Sequence, residues 1–254
     1  MDLLELFRIT SDCLLCGCPV KTSPTKTPDT AKPSSPLICY FCHQRLPVSE
    51  SACYICGLPI NAPNKSQNSN ISASYDLPCG QCLKNSPPFS RTINPFRYQS
   101  PIDQLISQMK YSSQIHYIPL LSEYLSSSIK KQYQNQALPS RIVAMPLHSR
   151  KLSSRGFNQA NLIAKQISKT IGIDIVSKGI HRIKNTQAQS GLDSVERKQN
   201  VKNAFRIDCK LPKHIALVDD VVTTGMTVSE LAKCARKQGA EQIDVWCLAR
   251  AYEQ

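Results

Sequence analysis

Two adjacent carboxylates and a hydroxyl-rich loop are the residues of this chain best suited to chemistry. Asp219 and Asp220 follow an apolar run, and a short loop with one glycine comes next. The loop residues are Thr223, Thr224, Gly225, Met226 and Thr227. Carboxylates accept hydrogen bonds from sugar hydroxyls, Gly225 lets the backbone approach a phosphate, and N–H groups at a helix start bind the anion. The pattern predicts a sugar-phosphate site, and the alternative is a solvated turn before an ordinary helix.

The order of these parts resembles the ribose-5-phosphate loop of type I phosphoribosyltransferases. The resemblance implies that the chain binds 5-phosphoribosyl 1-diphosphate together with Mg²⁺. Asp219 and Asp220 would then be the catalytic carboxylates, holding the ribose hydroxyls directly or through the metal. Residues 223–227 would cradle the 5-phosphate, mostly through backbone N–H groups. The sequence does not reveal the acceptor of such a transfer.

Two basic segments are candidates for contact with the diphosphate that such a transfer would release. The first covers residues 148–159 and contains Arg155 and Gly156, and the second covers residues 182–200 and contains Lys184. Positive charge near a diphosphate leaving group stabilises the charge that develops there. We therefore predict that Arg155, Gly156 and Lys184 face the diphosphate. The alternative is that both segments are solvated basic loops.

Eight of the twelve cysteines lie in four Cys-x-x-Cys pairs in the first third of the chain. These are Cys13 and Cys16, Cys39 and Cys42, Cys53 and Cys56, and Cys79 and Cys82. Two such pairs complete a tetrahedral zinc site, so we predict two closed, structural Cys₄ zinc sites. Sequential pairing is one arrangement, interleaved pairing is another, and Cys18 could compete as a ligand. A redox role is the alternative, which four copies in so short a segment disfavour.

The composition limits the classes of protein to which the chain can belong. Its 254 residues are 41% hydrophobic, enough for one α/β domain and a smaller unit. No apolar run approaches the ~20 residues of a membrane span. The net charge of +13 attracts phosphates, whether on nucleotides, diphosphates or nucleic acid. The N-terminal residues lack the basic region of a secretory signal, so we expect a cytoplasmic protein.

The elements that would position these residues begin near Arg91, where strand and helix patterns start to alternate. We predict helices over residues 103–111, 118–129 and 159–171, and strands over residues 141–147, 173–176, 214–222 and 243–250. Such alternation is typical of a mostly parallel sheet, whose ligands lie beyond the carboxyl ends of its strands. The predicted class is α/β, with a type I phosphoribosyltransferase fold in residues 91–254. A Cys-rich double zinc-ribbon domain in residues 1–90 precedes it.

Several motifs taken together resemble a more specific family. They are the four Cys-x-x-Cys pairs, a Leu-Ile-x-Gln-Met-Lys-Tyr helix, a Pro-Leu…Arg-Gly-Phe-Asn-Gln segment, a Thr-Gln…Arg-x-x-Asn-Val-Lys-Asn-Ala-Phe segment and the Val-Asp-Asp-Val-Val-Thr-Thr-Gly loop. This combination resembles the ComF family of bacterial competence and DNA-utilisation proteins. The resemblance implies a role in DNA uptake or use of external DNA, with single-stranded DNA or DNA-translocation proteins as partners. Two alternatives stay open: a nucleotide-salvage phosphoribosyltransferase, and a regulator that binds the ribosyl diphosphate without chemistry.

Overall fold

The computed structural model describes residues 12–20, 37–60, 77–185 and 201–252. The chain divides into two compact units, Met1–Leu46 and Pro47–Gln254. The first four cysteines of the Cys-x-x-Cys pairs lie in the smaller unit, and the last four share the larger unit with the α/β sheet. The predicted boundary at residue 90 is a different division, based on composition, and it stays a prediction.

A five-stranded sheet forms the centre of the larger unit. The strands of this unit are β1 (Arg91–Ile93), β2 (Phe96–Arg97), β3 (Arg141–Ala144), β4 (Ile180–Arg182), β5 (Phe205–Ile207), β6 (His214–Val222) and β7 (Gln242–Arg250). The main sheet has the order β1-β7-β6-β3, with β2 also paired to β7, and each of these pairings is parallel. β4 and β5 form a separate antiparallel pair. The predicted α/β class with a mostly parallel sheet is confirmed.

Short and long helices connect the strands, and local sequence explains where they begin and end. They are α1 (Tyr40–Gln44), α2 (Gly80–Lys84), α3 (Ile102–Tyr111), α4 (Tyr117–Gln132), α5 (Ser149–Arg155), α6 (Gln159–Ile171) and α7 (Met226–Lys237). The Asn158 side chain caps α6 by accepting the amide of Asn161 at 3.4 Å. Gly172 then ends α6 with a left-handed φ of +84°.

Two local predictions differ from the structure. Residues 149–155, expected to be part of a basic loop, form α5, because the His148 ring accepts the amide of Arg150 at 3.2 Å and Gly156 ends the helix in a left-handed conformation. Residues 173–176, expected to be a strand, contribute one parallel bridge, between Ile142 and Ile175. That segment runs beside β3 for too short a distance to form a ladder.

The two central strands of the main sheet, β6 and β7, run through a buried core. Residues 215–218 of β6 and 243–249 of β7 are buried, as expected for parallel strands covered on both faces. Leu231 and Ala232 of α7 pack in the same hydrophobic cluster as Leu217 of β6. Asp219 and Asp220 lie near the carboxyl end of β6, at the edge where parallel α/β sheets bind ligands. No helix in the described part of the chain is long and apolar enough to cross a membrane.

Candidate functional site

The acidic pair predicted from the sequence lies at the carboxyl end of β6. Asp220 is buried, and the ammonium nitrogen of Lys110 lies 2.9 Å from one of its carboxylate oxygens. The carboxylates also organise the backbone, since Asp219 accepts the amide of Asp220 at 2.9 Å and Asp220 accepts the amide of Val221 at 2.7 Å. Lys110 belongs to α3, so a distant part of the chain supplies the cation of this site.

Burial and neighbouring charges change the proton affinities of this group. Burial raises the pKa of Asp219 to about 7, and the Asp220 carboxylate acts in the same direction, against Lys110 and Arg182. Burial alone lowers the pKa of Lys110, but the charge and hydrogen bond of Asp220 outweigh it, so this pKa lies above its usual value. At neutral pH Lys110 is therefore charged, and a pKa near 7 leaves Asp219 partly protonated.

The hydroxyl-rich loop forms one wall of a cavity of about 220 Å³. Gly225 has a φ of +77° and directly precedes α7, a conformation in which any side chain would be strained. The Thr224 hydroxyl accepts the amide of Met226 at 3.4 Å. The polar lining includes Tyr98, Lys110, Asp219, Thr223 and Thr227. A carboxylate, an ammonium group, hydroxyls and a helix start together suit a phosphorylated sugar.

A second cavity of about 220 Å³ adjoins the first, because both include Lys110, Asp219 and Thr227 in their walls. Its other basic residues are Lys151, Arg155 and Arg182. The Arg155 guanidinium donates to Gln159 at 2.8 Å and lies 5.7 Å from the centre of the Tyr111 ring. Burial lowers the pKa of Lys151, and the charges of Arg182 and Arg155 act in the same direction. Several cations beside two carboxylates suit a diphosphate.

Gln159 adds an amide to the second cavity. It is 2% exposed, and among the described residues its Nε2 has no hydrogen-bond partner, although its Oε1 accepts from Arg155. A buried donor without an acceptor costs free energy unless a ligand or water completes the bond. Gln159 is therefore a candidate hydrogen-bond donor to a ligand in this cavity.

The structure brings several of the predicted site residues together at the second cavity. Arg155 lines the second cavity with Asp219 and Asp220, and Gly156 ends α5 beside it with a φ of +80°. The ammonium of Lys184 donates to the carbonyl of Lys202 at 2.7 Å. The predicted diphosphate-facing role of Lys184 stays a prediction, and residues 186–200 of the second basic segment lie outside the described residues.

Four further polar side chains line the cavities, namely Lys110, Lys151, Gln159 and Arg182. Lys151, Gln159 and Arg182 belong to the two basic segments predicted to contact a diphosphate, although they were not singled out. Lys110 was not predicted as a site residue, and its only signal was its place in a motif that carried the family resemblance. Its approach to the acidic pair depends on how α3 packs against β6, which spacing along the sequence does not show.

The eight paired cysteines form two compact sets with sequential pairing. One set is Cys13, Cys16, Cys39 and Cys42, and the other is Cys53, Cys56, Cys79 and Cys82. Within each set all sulfur atoms lie within 4.8 Å of one another. The Cys16–Cys39 and Cys56–Cys79 sulfur distances are 3.7 and 3.8 Å. A zinc tetrahedron with Zn–S bonds of about 2.3 Å has edges of about 3.8 Å, so both sets fit structural zinc. The alternative of interleaved pairing is wrong.

Backbone amides favour a thiolate at the first cysteine of each set. Burial by itself raises the pKa of Cys13, but hydrogen bonds from backbone groups of residues 39, 16 and 15 outweigh it and lower this pKa to about 6. At Cys53 burial again raises the pKa, but hydrogen bonds from the backbone of Cys56 and Cys79 outweigh it and lower this pKa to about 7. Burial and the neighbouring thiols raise the pKa of Cys42, Cys56 and Cys82. Without a metal, the backbone therefore favours the thiolate, the form that binds zinc, at the first cysteine of each set.

The two cysteine sets are copies of one motif, offset by 40 residues. Gly17 and Gly57 each follow a second cysteine, have φ values of +72° and +70°, and donate to the carbonyl of the first cysteine at 2.8 Å. Cys18 corresponds in this repeat to Leu58, and each contributes its carbonyl to the amide of the first cysteine. Cys18 therefore lies outside the ligand set and has a main-chain role.

The parallel sheet, the acidic strand end with its glycine loop, and the preceding Cys₄ sets define a phosphoribosyltransferase-like α/β protein with zinc-ribbon segments. The chain is 35% identical over 216 residues to the DNA utilization protein YhgH of Escherichia coli strain K12, covering 84% of this chain and 90% of that protein. It is 37% identical over 183 residues to competence protein F of Haemophilus influenzae, covering 70% and 80%. The chain belongs to the ComF family of competence and DNA-utilisation proteins.

The chain also has more distant similarity to another competence protein and to solved phosphoribosyltransferase structures. Competence protein ComFC of Streptococcus pneumoniae is 25% identical over 155 residues, covering 61% of this chain and 66% of that protein. Among solved structures, a purine phosphoribosyltransferase from Pyrococcus horikoshii has a TM-score of 0.33 at 18% identity, covering 52% of this chain and 72% of its own. An adenine phosphoribosyltransferase from Leishmania tarentolae has a TM-score of 0.34 at 13% identity, covering 54% and 59%. No protein-family model matches the chain.

Proposed function

We propose that the chain binds 5-phosphoribosyl 1-diphosphate with Mg²⁺ at the carboxyl edge of its parallel sheet. The observation that carries this proposal is the meeting of two cavities at Lys110, Asp219 and Thr227. One cavity has the wall expected for a 5-phosphate, and the other has the cations expected for a diphosphate. A ligand with a phosphate at each end of a ribose matches that arrangement.

Each group then has a distinct task. Asp219 and Asp220 accept hydrogen bonds from the ribose hydroxyls, and the amides of residues 223–227 hold the 5-phosphate. Arg155 and Arg182 stabilise negative charge on the diphosphate. Bound Mg²⁺ would supply further positive charge for this leaving group. Held at both ends, the ribose would lose the freedom that opposes reaction at its first carbon.

We also propose that zinc occupies both Cys₄ sets and that the protein acts in DNA uptake or in the use of external DNA. The names of its relatives support that setting. The smaller unit adds an exposed aromatic pair, Tyr40 and Phe41, between the zinc-type cysteines Cys39 and Cys42. Such side chains can stack on the bases of single-stranded DNA.

Cysteines used as thiolate ligands suit a reducing compartment, so the cytoplasm is the proposed location.

Calorimetry with 5-phosphoribosyl 1-diphosphate and Mg²⁺ tests the binding site. We expect Asp219→Asn/Asp220→Asn to weaken binding about 100-fold or more, because two charge-assisted hydrogen-bond acceptors are lost. Asp174→Asn is the matched control, since that carboxylate is highly exposed and belongs to a surface ion pair. Equal affinity of the double variant and the wild type would contradict the site assignment.

A diphosphate-release assay with individual nucleobases then separates the functional alternatives. Turnover with one base would favour a nucleotide-salvage transferase. Tight binding of the ribosyl diphosphate without turnover on any base would favour a regulator that senses this ligand. Either outcome keeps the binding proposal, which only the calorimetric result can overturn.

A further inference from the structure

Arg250, at the end of β7, contacts the second cysteine set and the phosphate loop at the same time. Its side chain is buried, and its Nε donates to the carbonyl of Cys56 at 2.7 Å. Its Nη1 donates to the carbonyl of Val222 at 3.0 Å and to the carbonyl of Thr223. Cys56 is a metal ligand by its place in the second Cys₄ set, and Thr223 begins the proposed 5-phosphate loop. One guanidinium therefore joins two parts of the molecule that are far apart in sequence.

The second knuckle, residues 53–57, is also fixed directly to the sheet. The amide of Thr92 donates to the carbonyl of Tyr54 at 3.0 Å, and the Thr92 hydroxyl donates to the carbonyl of Ile55 at 2.7 Å. A Cβ added to Gly57 would lie 2.5 Å from the Asn94 side-chain oxygen, so backbone and side chain are in close contact there. Because the knuckle rests on β1 through these contacts, its geometry is transmitted to neighbouring strands rather than absorbed by a flexible connection.

Charge gives the link a second physical basis. The polar contacts of the Arg250 side chain are to the carbonyls of residues 56, 222, 223 and 251, which carry no formal charge. A buried cation needs a compensating negative charge nearby. Four thiolates around a divalent zinc carry a net charge of −2, and the Arg250 Nε bonds directly to the carbonyl of one of these four cysteines, Cys56. A filled second site would therefore stabilise the guanidinium where it holds the loop.

We propose that Arg250 is a positioning residue that couples metal occupancy of the second Cys₄ set to the geometry of residues 222–225. A filled site fixes the Cys56 carbonyl, and Arg250 in turn holds the carbonyls of Val222 and Thr223. Metal loss removes one anchor of the guanidinium and loosens the loop. By linkage, a ligand that binds the ordered loop must also strengthen retention of the metal. This inference rests on the proposed ribosyl-diphosphate site, which it deepens by adding regulation through zinc.

The 40-residue repeat provides a matched pair of variants to test the coupling. Cys82→Ser removes one ligand from the second set, and Cys42→Ser removes the corresponding ligand from the first. Calorimetry with 5-phosphoribosyl 1-diphosphate and Mg²⁺ should show at least a tenfold loss of affinity for Cys82→Ser and less than a twofold change for Cys42→Ser. Equal effects of the two variants would overturn the proposal.

Changes at Arg250 itself complete a double-mutant cycle. Arg250→Lys keeps the charge but loses the planar fork that reaches several carbonyls, so we expect a tenfold weaker affinity in a protein that still folds cooperatively. Adding Cys82→Ser to Arg250→Lys should then cost less than threefold, because the route between the sites is already broken. Fully multiplicative losses would show that Arg250 does not carry the coupling.

A measurement without ligand separates this inference from the proposed function. Amide hydrogen exchange at residues 222–225 should become at least fivefold faster in Cys82→Ser and in Arg250→Lys, and stay unchanged in Cys42→Ser. If the loop responds in this way but the wild type binds no ribosyl diphosphate, the proposed ligand is wrong and the coupling stands. Unchanged exchange in Cys82→Ser would overturn the coupling whatever the ligand.

Discussion

Lys110 is the residue on which the charge balance of the candidate site depends. Its ammonium nitrogen lies 2.9 Å from Asp220 and belongs to the walls of both cavities. Its charge lowers the pKa of Asp219 against the effects of burial and of the Asp220 carboxylate, so this pKa would lie still higher without it. Lys110 therefore favours the ionised form of Asp219, and it places a cation where two phosphorylated ends of a ligand would meet.

Replacing Lys110 by methionine should weaken binding of the ribosyl diphosphate with Mg²⁺ by about tenfold to hundredfold. This range corresponds to the loss of one charge-assisted hydrogen bond, about 1.5–3 kcal/mol. Calorimetry at fixed salt measures the effect. Lys169→Met, at an exposed position in the last turn of α6, is the control and should bind as the wild type does. Equal affinities of the two variants would remove Lys110 from the site.

The raised pKa of Asp219 predicts a pH dependence with a definite sign. Burial raises this pKa from 3.8 to about 7, so the folded protein keeps a proton that the unfolded chain releases near pH 4. The contribution of Asp219 to stability is therefore fully present below pH 4 and is lost as the pH rises through about 7. Ligand binding has the opposite trend, because the ionised carboxylate is the acceptor.

We accordingly expect the affinity for the ribosyl diphosphate to rise between about pH 6 and pH 8 and to level off above that range. The phosphates of the ligand also titrate, so Asp219→Asn is the necessary reference. The excess pH dependence of the wild type over this variant, measured by calorimetry, isolates the carboxyl group. Parallel pH profiles for the two proteins would mean that Asp219 is already ionised at pH 6.

At the level of elements, the long apolar strands and capped helices were predictable because their signals are local. β6 occupies the predicted residues 214–222, and Asn158 caps α6 as its side chain suggests. The α5 helix was missed because its sequence lacks apolar periodicity and depends on His148 and Gly156 at its ends. The meeting of Lys110, Arg182 and Asp219 was not predictable, because it depends on tertiary packing and not on spacing within any one element.

The 40-residue repeat of the cysteines is a sequence signal for how the Cys-x-x-Cys pairs combine, in addition to the spacing within each pair. Every ligand of the second set lies 40 residues after its counterpart, and this fixed offset alone argues for sequential pairing. Interleaved pairing would make each site from halves of two different copies. The repeat also explains Cys18, whose counterpart is an apolar residue, Leu58.

A buried polar network at the other end of the sheet joins β1, β6, β7 and Tyr133, the residue that follows α4. The Asp244 carboxylate lies 3.5 Å from the Arg91 Nε and 2.7 Å from the His214 Nε2, and it accepts the Tyr133 hydroxyl. Arg91 also lies 4.4 Å from the centre of the Tyr133 ring. Because Asp244 and Arg91 are both buried, the charge of each is compensated by the charge of the other.

Asp244→Ala should lower the free energy of unfolding by about 3–5 kcal/mol, because it leaves the Arg91 guanidinium buried without its carboxylate. Urea denaturation at pH 7.5, with zinc present, measures the change. Asp208→Ala is the control, since its carboxylate pairs with His181 and Arg206 at the surface and should contribute less than about 1 kcal/mol. Similar losses for the two variants would contradict the structural role of Asp244.

For the molecule as a whole, the net charge of +13 and the zinc-type ribbons bear on the proposed contact with DNA. Charge alone attracts any polyanion, so it does not distinguish single-stranded DNA from other partners. The aromatic pair in the smaller unit is a more selective feature. Phe41 is 77% exposed on α1, and its ring lies edge-on to Tyr40 at 5.9 Å. Large exposed aromatic side chains between Cys39 and Cys42 can stack on DNA bases. A general attraction to phosphates does not require such side chains.

Phe41→Ala should therefore weaken binding of a poly-dT oligonucleotide by about fivefold or more, since stacking on one base contributes about 1–3 kcal/mol. Leu83→Ala is the matched control, because Leu83 is 71% exposed on α2 but cannot stack as a ring does. Fluorescence anisotropy at several salt concentrations separates the contribution of base stacking from that of phosphate contacts. Phe41→Ala should shift the affinity at every salt concentration and leave the slope against salt unchanged, because phosphate contacts alone set that slope. An altered slope, or equal effects of the two variants, would show that the ribbon does not bind DNA through stacked bases.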